Sequence, residues 1–526
     1  MKVGVEMVIV VCTGAALLAF SVGWGYEVSH PVFAEDGSER IADQLREDTA
    51  LVMGMTSEEI AAWLPAKSPI YIVACPNCEY PGGRRDRKLS HYSHWTPEHP
   101  DQLTCRNCGM VFPNEKYPMD EVDRIEDPTG QVNEYRYWQG DDGYKYYLPG
   151  RIHACRKSYL ERAAADLSKL YAASGKERYA RQAGIILARL AEVYPHYNVQ
   201  RCRKSGSPAL YDIEILDPAD GIQPVPGLAR EMKGHSTETH YPYWSNRRGG
   251  GWNGWFYSEM PSHLAYAYDR IAASEALDDI GAESDTDIRQ DIETFLRATA
   301  NFARSYPIYL GNMDPTLIRG LAVIGRVIGE PEFVHDAVRR VKLILQYMFF
   351  PDANWKECAP SYHAQTVKGL MSCAQGPLAG YSDPEGYVHP RDGQVIENLQ
   401  PESDFPFLQE SMQALEEMRM PHGPYTCVHD TWAPMDMAAR SSPVPPDQEI
   451  PTRLHWGMGH AMLGMGAGAN GVQAHLHFSG GYGHTHADTL NLIIFGQNRE
   501  LACDIGYTHT ILRPYAIRSL AHNLVL

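Results

Sequence analysis

From Leu160 to Met348 the apolar residues recur at helical spacing in run after run, and glycine or proline separates the runs. Leu160, Ala164, Leu167 and Tyr171 share one face, Gly175 breaks the run, and Tyr179, Ala183, Ile186, Leu190 and Tyr194 resume it before Pro195. The stretches YSEMPSHLAYAYDRIAAS, DIRQDIETFLRATANFARSY, PTLIRGLAVIGRVIG and PEFVHDAVRRVKLILQYMF repeat the pattern, with Val334, Val338, Val341, Leu345 and Met348 on one face of the last. Helices in succession without strands between them imply antiparallel helical hairpins. Periodicity leaves open whether they form a bundle, a solenoid or a closed toroid. The aromatic, Gly-rich EYRYWQGDDGYKYYLPG ahead of them reads as an irregular wall.

The pattern changes after the Pro-rich RSSPVPPDQEIP (Arg440–Pro451), read as a linker. HAMLGMGA, VQAHLHFS, LNLIIFG and ELACDIGY are short runs bounded by Gly and Asn, the mark of β-strands. The chain ends at AHNLVL within an apolar run, so the β-domain is expected to be truncated.

The balance of 47 Lys+Arg against 65 Asp+Glu, a net charge of −18, argues against nucleic acid as a partner. An acidic ligand would need a local cationic patch. The N-terminal MKVGVEMVIVVCTGAALLAFSVGWGYEVSHPVFAEDG reads, over residues 1–34, as a secretory signal or a membrane anchor, which places the protein in the periplasm or outside the cell.

Among the 11 cysteines, CPNC (Cys75, Cys78) and CRNC (Cys105, Cys108) form two CxxC knuckles, a spacing that lets four thiolates converge on one structural zinc. Pairing as disulfides is the alternative. The region 35–150 carries this module.

Four stretches carry candidate chemistry. In LGNMDPTLIRG, Asp314 reads as an N-cap and Pro315 as the first helical residue, so the Asn312 amide lies near the positive end of a helix, where a carboxylate is welcome. PDANWKECAPSYHAQTV reads as a loop carrying Trp355, Glu357, Tyr362 and His363, with a Tyr-His pair able to exchange protons. In YPYWSNRRGGGWNGWFYSEM, Asn246, Arg247 and Arg248 stand beside Trp252 and Trp255; guanidinium groups grip carboxylate or sulfate, and indoles stack on sugar faces. Finally, in GGYGHTHAD an extended backbone would set His484, His486 and Asp488 on one face, with Asp504 brought alongside His486 by a hairpin, as N and O ligands for a divalent metal.

SGGYGHTHADTLNLIIFGQNRELACDIGY followed by AHNLV resembles the H-x-H-x-D, D-x-G and H-N-x-V pattern of the heparinase II/III-like polysaccharide lyases and their alginate-lyase relatives. The interval from Asn312 to Tyr362 is similar to theirs. The resemblance runs from Arg151 to Leu526 and implies an (α/α) toroid over 151–440, a linker over 441–451 and the start of an antiparallel β-sandwich over 452–526. It implies β-elimination on a uronic-acid polysaccharide, with Asn312 neutralising the carboxylate, Tyr362 as acid or as both acid and base, and His484 as the second acid/base. Zinc would be held by His486 and Asp504, with a third ligand beyond residue 526. Met313 departs from the family, where a histidine often follows the Asn; the Tyr362/His484 pair would then carry the proton transfers, unless His363 or His235 fills the place from elsewhere. Two other readings remain: a non-catalytic sugar-binding protein of the same fold, and a zinc-dependent hydrolase built on HTHAD.

Overall fold

The computed structural model describes residues 25–33, 42–66, 74–78, 93–126, 132–141, 143–194, 199–204, 211–216, 260–305, 310–434, 441, 443–480, 483–508 and 513–524. The chain opens with α1 (Ala42–Met53) and α2 (Ser57–Trp63), the latter started by a capping box between Thr56 and Glu59. Gly25–Phe33, part of the stretch read as signal or anchor, lies against the helices: the Asp269 carboxylate accepts from Val32 N at 2.8 Å and Phe33 N at 3.0 Å. Among the described residues no helix is long and apolar enough to cross a membrane.

Strands β1 (Ser93–His94), β2 (Leu103–Cys105) and β3 (Val111–Phe112) form a small antiparallel sheet that carries Cys105. A second sheet comprises β4 (Glu121–Glu126), β5 (Val132–Gln139) and β6 (Lys145–Tyr146). It corrects the reading of EYRYWQGDDGYKYYLPG as irregular. Asn133, Tyr135 and Tyr137 alternate inward along β5, and Tyr144, Tyr146 and Tyr147 are buried with them. The period of two was present in the sequence and was masked by the glycines between the strands.

The helical region runs as hairpins: α3 (Leu148–Ser174) with α4 (Glu177–Val193), then α5 (Ser262–Ile271), α6 (Glu275–Ser284), α7 (Ile288–Ser305), α8 (Asp314–Val327), α9 (Pro331–Tyr347), α10 (Pro360–Gln375), α11 (Pro401–Asp404) and α12 (Pro406–Glu417). Gly175 ends α3 at φ 63, the left-handed turn that a glycine takes without a Cβ penalty. One continuous core joins these helices, from Val52 and Leu160 through Leu321 and Val341 to Leu415. A hairpin of β7 (Val199–Lys204) and β8 (Tyr211–Leu216) follows α4.

Helix α10 begins at Pro360, so Tyr362 and His363 lie in its first turn and not on a loop. Asp314 is likewise the first residue of α8 and not its cap; its buried carboxylate reaches back and accepts from Gly311 N at 2.7 Å.

The last region is one antiparallel sheet of β9 (Arg453–His455), β10 (His460–Met465), β11 (Val472–His477), β12 (Leu492–Gly496) and β13 (Arg499–Ala502), ordered β13-β12-β11-β10-β9. Its inner face carries His460, Met462, His475, His477, Ile493 and Phe495, all buried. Leu454, Leu463 and Leu501 are exposed on the sheet. The described residues of this region form a single sheet, where the resemblance implied the start of a sandwich. The stretch read as a linker is packed: Val444 and Ile450 join Met420, Val428, Ile493 and Phe495 in a core beneath the sheet. Ile450 N also donates to Gly466 O at 2.9 Å. Two apolar residues spaced among the prolines account for the packing.

Candidate active site and metal centres

The HTHAD stretch does not form a strand. Gly483 at φ 137 and His484 at φ 50 turn the backbone, and the strand starts only at Leu492. His484 and His486 therefore both meet Asp430, at different oxygens, while Asp488 turns to His429 and His477.

His484 turns toward the helices. Its ring stacks on Tyr362 with centroids 3.6 Å apart and planes 16° from parallel. Its Nδ1 lies 3.0 Å from Asp430 Oδ2, and its Nε2 3.6 Å from Glu357 Oε1. Asp430, which nothing in the sequence singled out, is the hub of the site: it is buried, Arg513 donates to both its oxygens at 2.7 and 2.9 Å, and His486 Nε2 lies 2.9 Å from Oδ1. Burial alone would raise its pKa, yet the hydrogen bonds from His484, His486 and Arg513 hold the carboxyl well below the usual range. A backbone bond from Asp430 N to His484 O at 3.0 Å pairs the two segments, and the Ser361 side chain at the start of α10 donates Oγ to Asp430 O at 2.9 Å.

Burial, with Tyr507 and Asp430 nearby, pushes the Tyr362 phenol far up, so it holds its proton. Burial also raises Glu357, whose Oε2 accepts from Trp355 Nε1 at 2.7 Å. With Nδ1 directed at Asp430, the other ring nitrogen of His484, Nε2, faces Glu357.

Asn312 is half-buried in the turn before α8. That turn abuts α10, since Gln365 Nε2 lies 3.4 Å from Met313 Sδ and Cys373 Sγ 3.1 Å from Pro315 O. Gln365 follows Tyr362 by one helical turn, so Asn312 and Tyr362 stand at the same end of neighbouring helices. Asn246, Arg247, Arg248, Trp252, Trp255 and His235 lie outside the described residues.

His363 is not a substrate contact. It is fully buried, with Nε2 2.9 Å from Ser411 Oγ, and burial pushes its imidazole down to about 3. An adjacent position on a helix faces another way, so Tyr362 meets the site while His363 meets the core. Between pH 6.5 and that value the unfolded chain binds a proton that the folded chain refuses, so this contribution is complete above pH 6.5 and falls by about 1.4 kcal/mol per unit below it. In thermal melts from pH 7 to pH 4, His363→Gln is expected to be less stable at neutral pH and to close the gap with the parent as the pH falls. Parallel melting curves would contradict this.

Cys75, Cys78, Cys105 and Cys108 converge as the knuckles require. Cys75 Sγ lies 3.6 Å from Cys108 Sγ, and Cys78 Sγ 3.8 Å from Cys105 Sγ. A tetrahedron with Zn–S bonds of about 2.3 Å has edges of about 3.8 Å, whereas a disulfide needs about 2.05 Å. The donor set fits a metal and not the disulfide alternative.

His486, Asp504 and His522 place one ligand atom each within 4.8 Å of one another. His486 Nδ1 and His522 Nε2 are buried without hydrogen bonds, and His522 Nδ1 lies 2.7 Å from Asp504 Oδ2. N and O donors of this kind suit a divalent ion. The third residue corrects the expectation of a ligand beyond 526. Asp504 lies past the end of β13, and a short turn at Ser519–Ala521 returns His522 to it. Of the HTHAD histidines, His486 is a member of this group and His484 is not.

No family's sequence profile and no curated protein matches the chain. Solved structures do. A heparinase III gene product is 13% identical with a TM-score of 0.44, covering 71% of this chain and 56% of its own. A mutant of heparan sulfate lyase HepC from Pedobacter heparinus is 13% identical with a TM-score of 0.44, covering 94% of this chain and 68% of its own. Alginate lyase A1-III from Sphingomonas species A1 is 15% identical with a TM-score of 0.30, covering 72% and 82%. The chain spans a little over half the length of the first solved structures it matches, 56% and 53%. The solved structures that match the chain are thus heparan sulfate lyases and an alginate lyase, at low sequence identity and with TM-scores below 0.5.

Proposed function

We propose that the protein is a polysaccharide lyase that cleaves a uronic-acid-containing polysaccharide by β-elimination. The observation that carries this reading is the Tyr362–His484 pair, stacked face to face and held from below by Asp430. Elimination requires a base for the proton alpha to the carboxylate, a neutralising group for that carboxylate and an acid for the departing oxygen. His484 Nε2, with Nδ1–H donated to Asp430, takes the proton. The electron pair of the broken C–H bond forms the new double bond as the C–O bond to the leaving sugar breaks. Tyr362, which keeps its proton, gives it to the glycosidic oxygen. The Asn312 amide, at the start of α8, hydrogen-bonds the carboxylate and favours its enolate-like form. Arg513 offsets the Asp430 charge, so His484 is oriented without an excess of negative charge facing an anionic substrate.

A zinc on His486, Asp504 and His522 would supply a structural cross-link beneath His484, and no step runs through it. The four-cysteine metal, read as zinc, braces the N-terminal module. Arg247, Arg248, Asn246, Trp252 and Trp255 remain our candidates for grasping the polymer, and residues 1–34 our candidate export segment.

The test is a panel of glycosaminoglycans and alginates incubated with the protein. Ultraviolet absorbance from unsaturated uronate ends is expected on at least one polymer. Reducing ends released without that absorbance favour the hydrolase, and binding without cleavage favours the sugar-binding alternative.

A further inference from the structure

His460 is fully buried, and neither of its ring nitrogens makes a hydrogen bond. A neutral imidazole left so in a protein interior gives up the hydrogen bonds it had in water, a cost of about 1–3 kcal/mol per group. Around it stand His429 and His477, both buried, and one nitrogen from each of the three rings lies within 4.8 Å of the others.

The rings are already oriented. His429 Nε2 lies 2.6 Å and His477 Nδ1 3.2 Å from the same hydroxyl, Ser479 Oγ. Their other nitrogens, His429 Nδ1 and His477 Nε2, make no hydrogen bond. These face the Asp488 carboxylate, at 2.9 Å from Oδ1 and 3.4 Å from Oδ2. Asp488 is fully buried, its Oδ1 makes no hydrogen bond, and Oδ2 accepts from His429 N at 3.0 Å. Among the described residues its ion-pair partners are these histidines, with no lysine or arginine.

We propose that His429, His460 and His477 bind a divalent transition-metal ion, with zinc the ion the donor set favours and the Asp488 carboxylate beside them as a counter-charge. Three imidazoles are borderline nitrogen donors, a set that holds tetrahedral zinc with a water in the fourth position. A hydroxyl holding the non-ligating nitrogens is the arrangement that fixes ligand orientation from outside. The cation also offsets a buried carboxylate whose ion-pair partners among the described residues are imidazoles. Zinc–nitrogen bonds of about 2.1 Å give edges of about 3.4 Å, so the rings draw together on binding. His429 precedes Asp430, and Asp488 lies on the loop that carries His484, so the ion ties both sides of the Asp430–His484 contact to the sheet.

The test is zinc content of the purified protein after dialysis against a slight excess of zinc, with anomalous diffraction at the zinc edge from the same preparation. Three zinc ions per chain are expected, with an anomalous peak enclosed by His429, His460 and His477. His460→Gln should lose one equivalent while the four-cysteine and His486–Asp504–His522 ions stay. Should that variant fold poorly, the anomalous map of the parent decides alone. No peak in this cluster when the other two centres are filled would overturn the proposal. The readout needs no substrate, so it stands or falls separately from the lyase reading.

Discussion

Tyr362→Phe is expected to cut turnover by about 10²–10⁴-fold, the range of one well-placed acid or base group, with KM nearly unchanged. The phenylalanine ring keeps the stack on His484, now at 3.6 Å between centroids, so the change removes a proton and little else. Steady-state kinetics on whichever polymer the screen identifies, with a thermal melt to verify folding, measure it. A variant with parental turnover would take Tyr362 out of the reaction. Loss through KM alone would make it a binding group.

The second large effect concerns the knuckles. Cys75→Ser leaves three thiolates, and structural zinc sites carry apparent binding free energies of about 10–16 kcal/mol. Cys75 and Cys105 are buried with Leu103, Phe112, Tyr117, Leu148 and Ile152, so the proposed metal and the core would hold the module jointly. Trp95 packs against the rings of Trp63 and Tyr159, and Arg156 Nε donates to Pro100 O at 3.1 Å, which ties the module to α3. The variant should lose one equivalent of zinc and become open to protease between residues 93 and 126, while the helical region resists. Unchanged zinc content and protease resistance would contradict a metal at these cysteines.

The helical hairpins and the last strands were legible because their periodicity is a local property of the chain. Gly175 ends α3 where the break in the pattern placed it. Tyr362, His484, Glu357 and Asn312 were each visible as residues, but their arrangement was not. Gly483 and His484 bend what alternation presents as a strand, and with this bend both histidines meet Asp430 while His484 stacks on Tyr362 and His486 joins Asp504 and His522. Asp430 sits in an aperiodic segment, and its importance arises from Arg513, 83 residues away. His522 belonged to a quoted motif, yet its union with Asp504 depends on a turn that no pattern announces. His363 shows the converse: a histidine beside a candidate acid, buried by the helix that exposes its neighbour.

Cleavage in water enriched in heavy oxygen tests the central claim most directly. β-Elimination breaks the glycosidic bond without adding water, so mass spectrometry of the products should show an unsaturated uronate end and no heavy oxygen built in by the cleavage. Heavy oxygen at the new ends, with saturated products, would mean hydrolysis and would contradict the roles of His484 as base and Tyr362 as acid in an elimination.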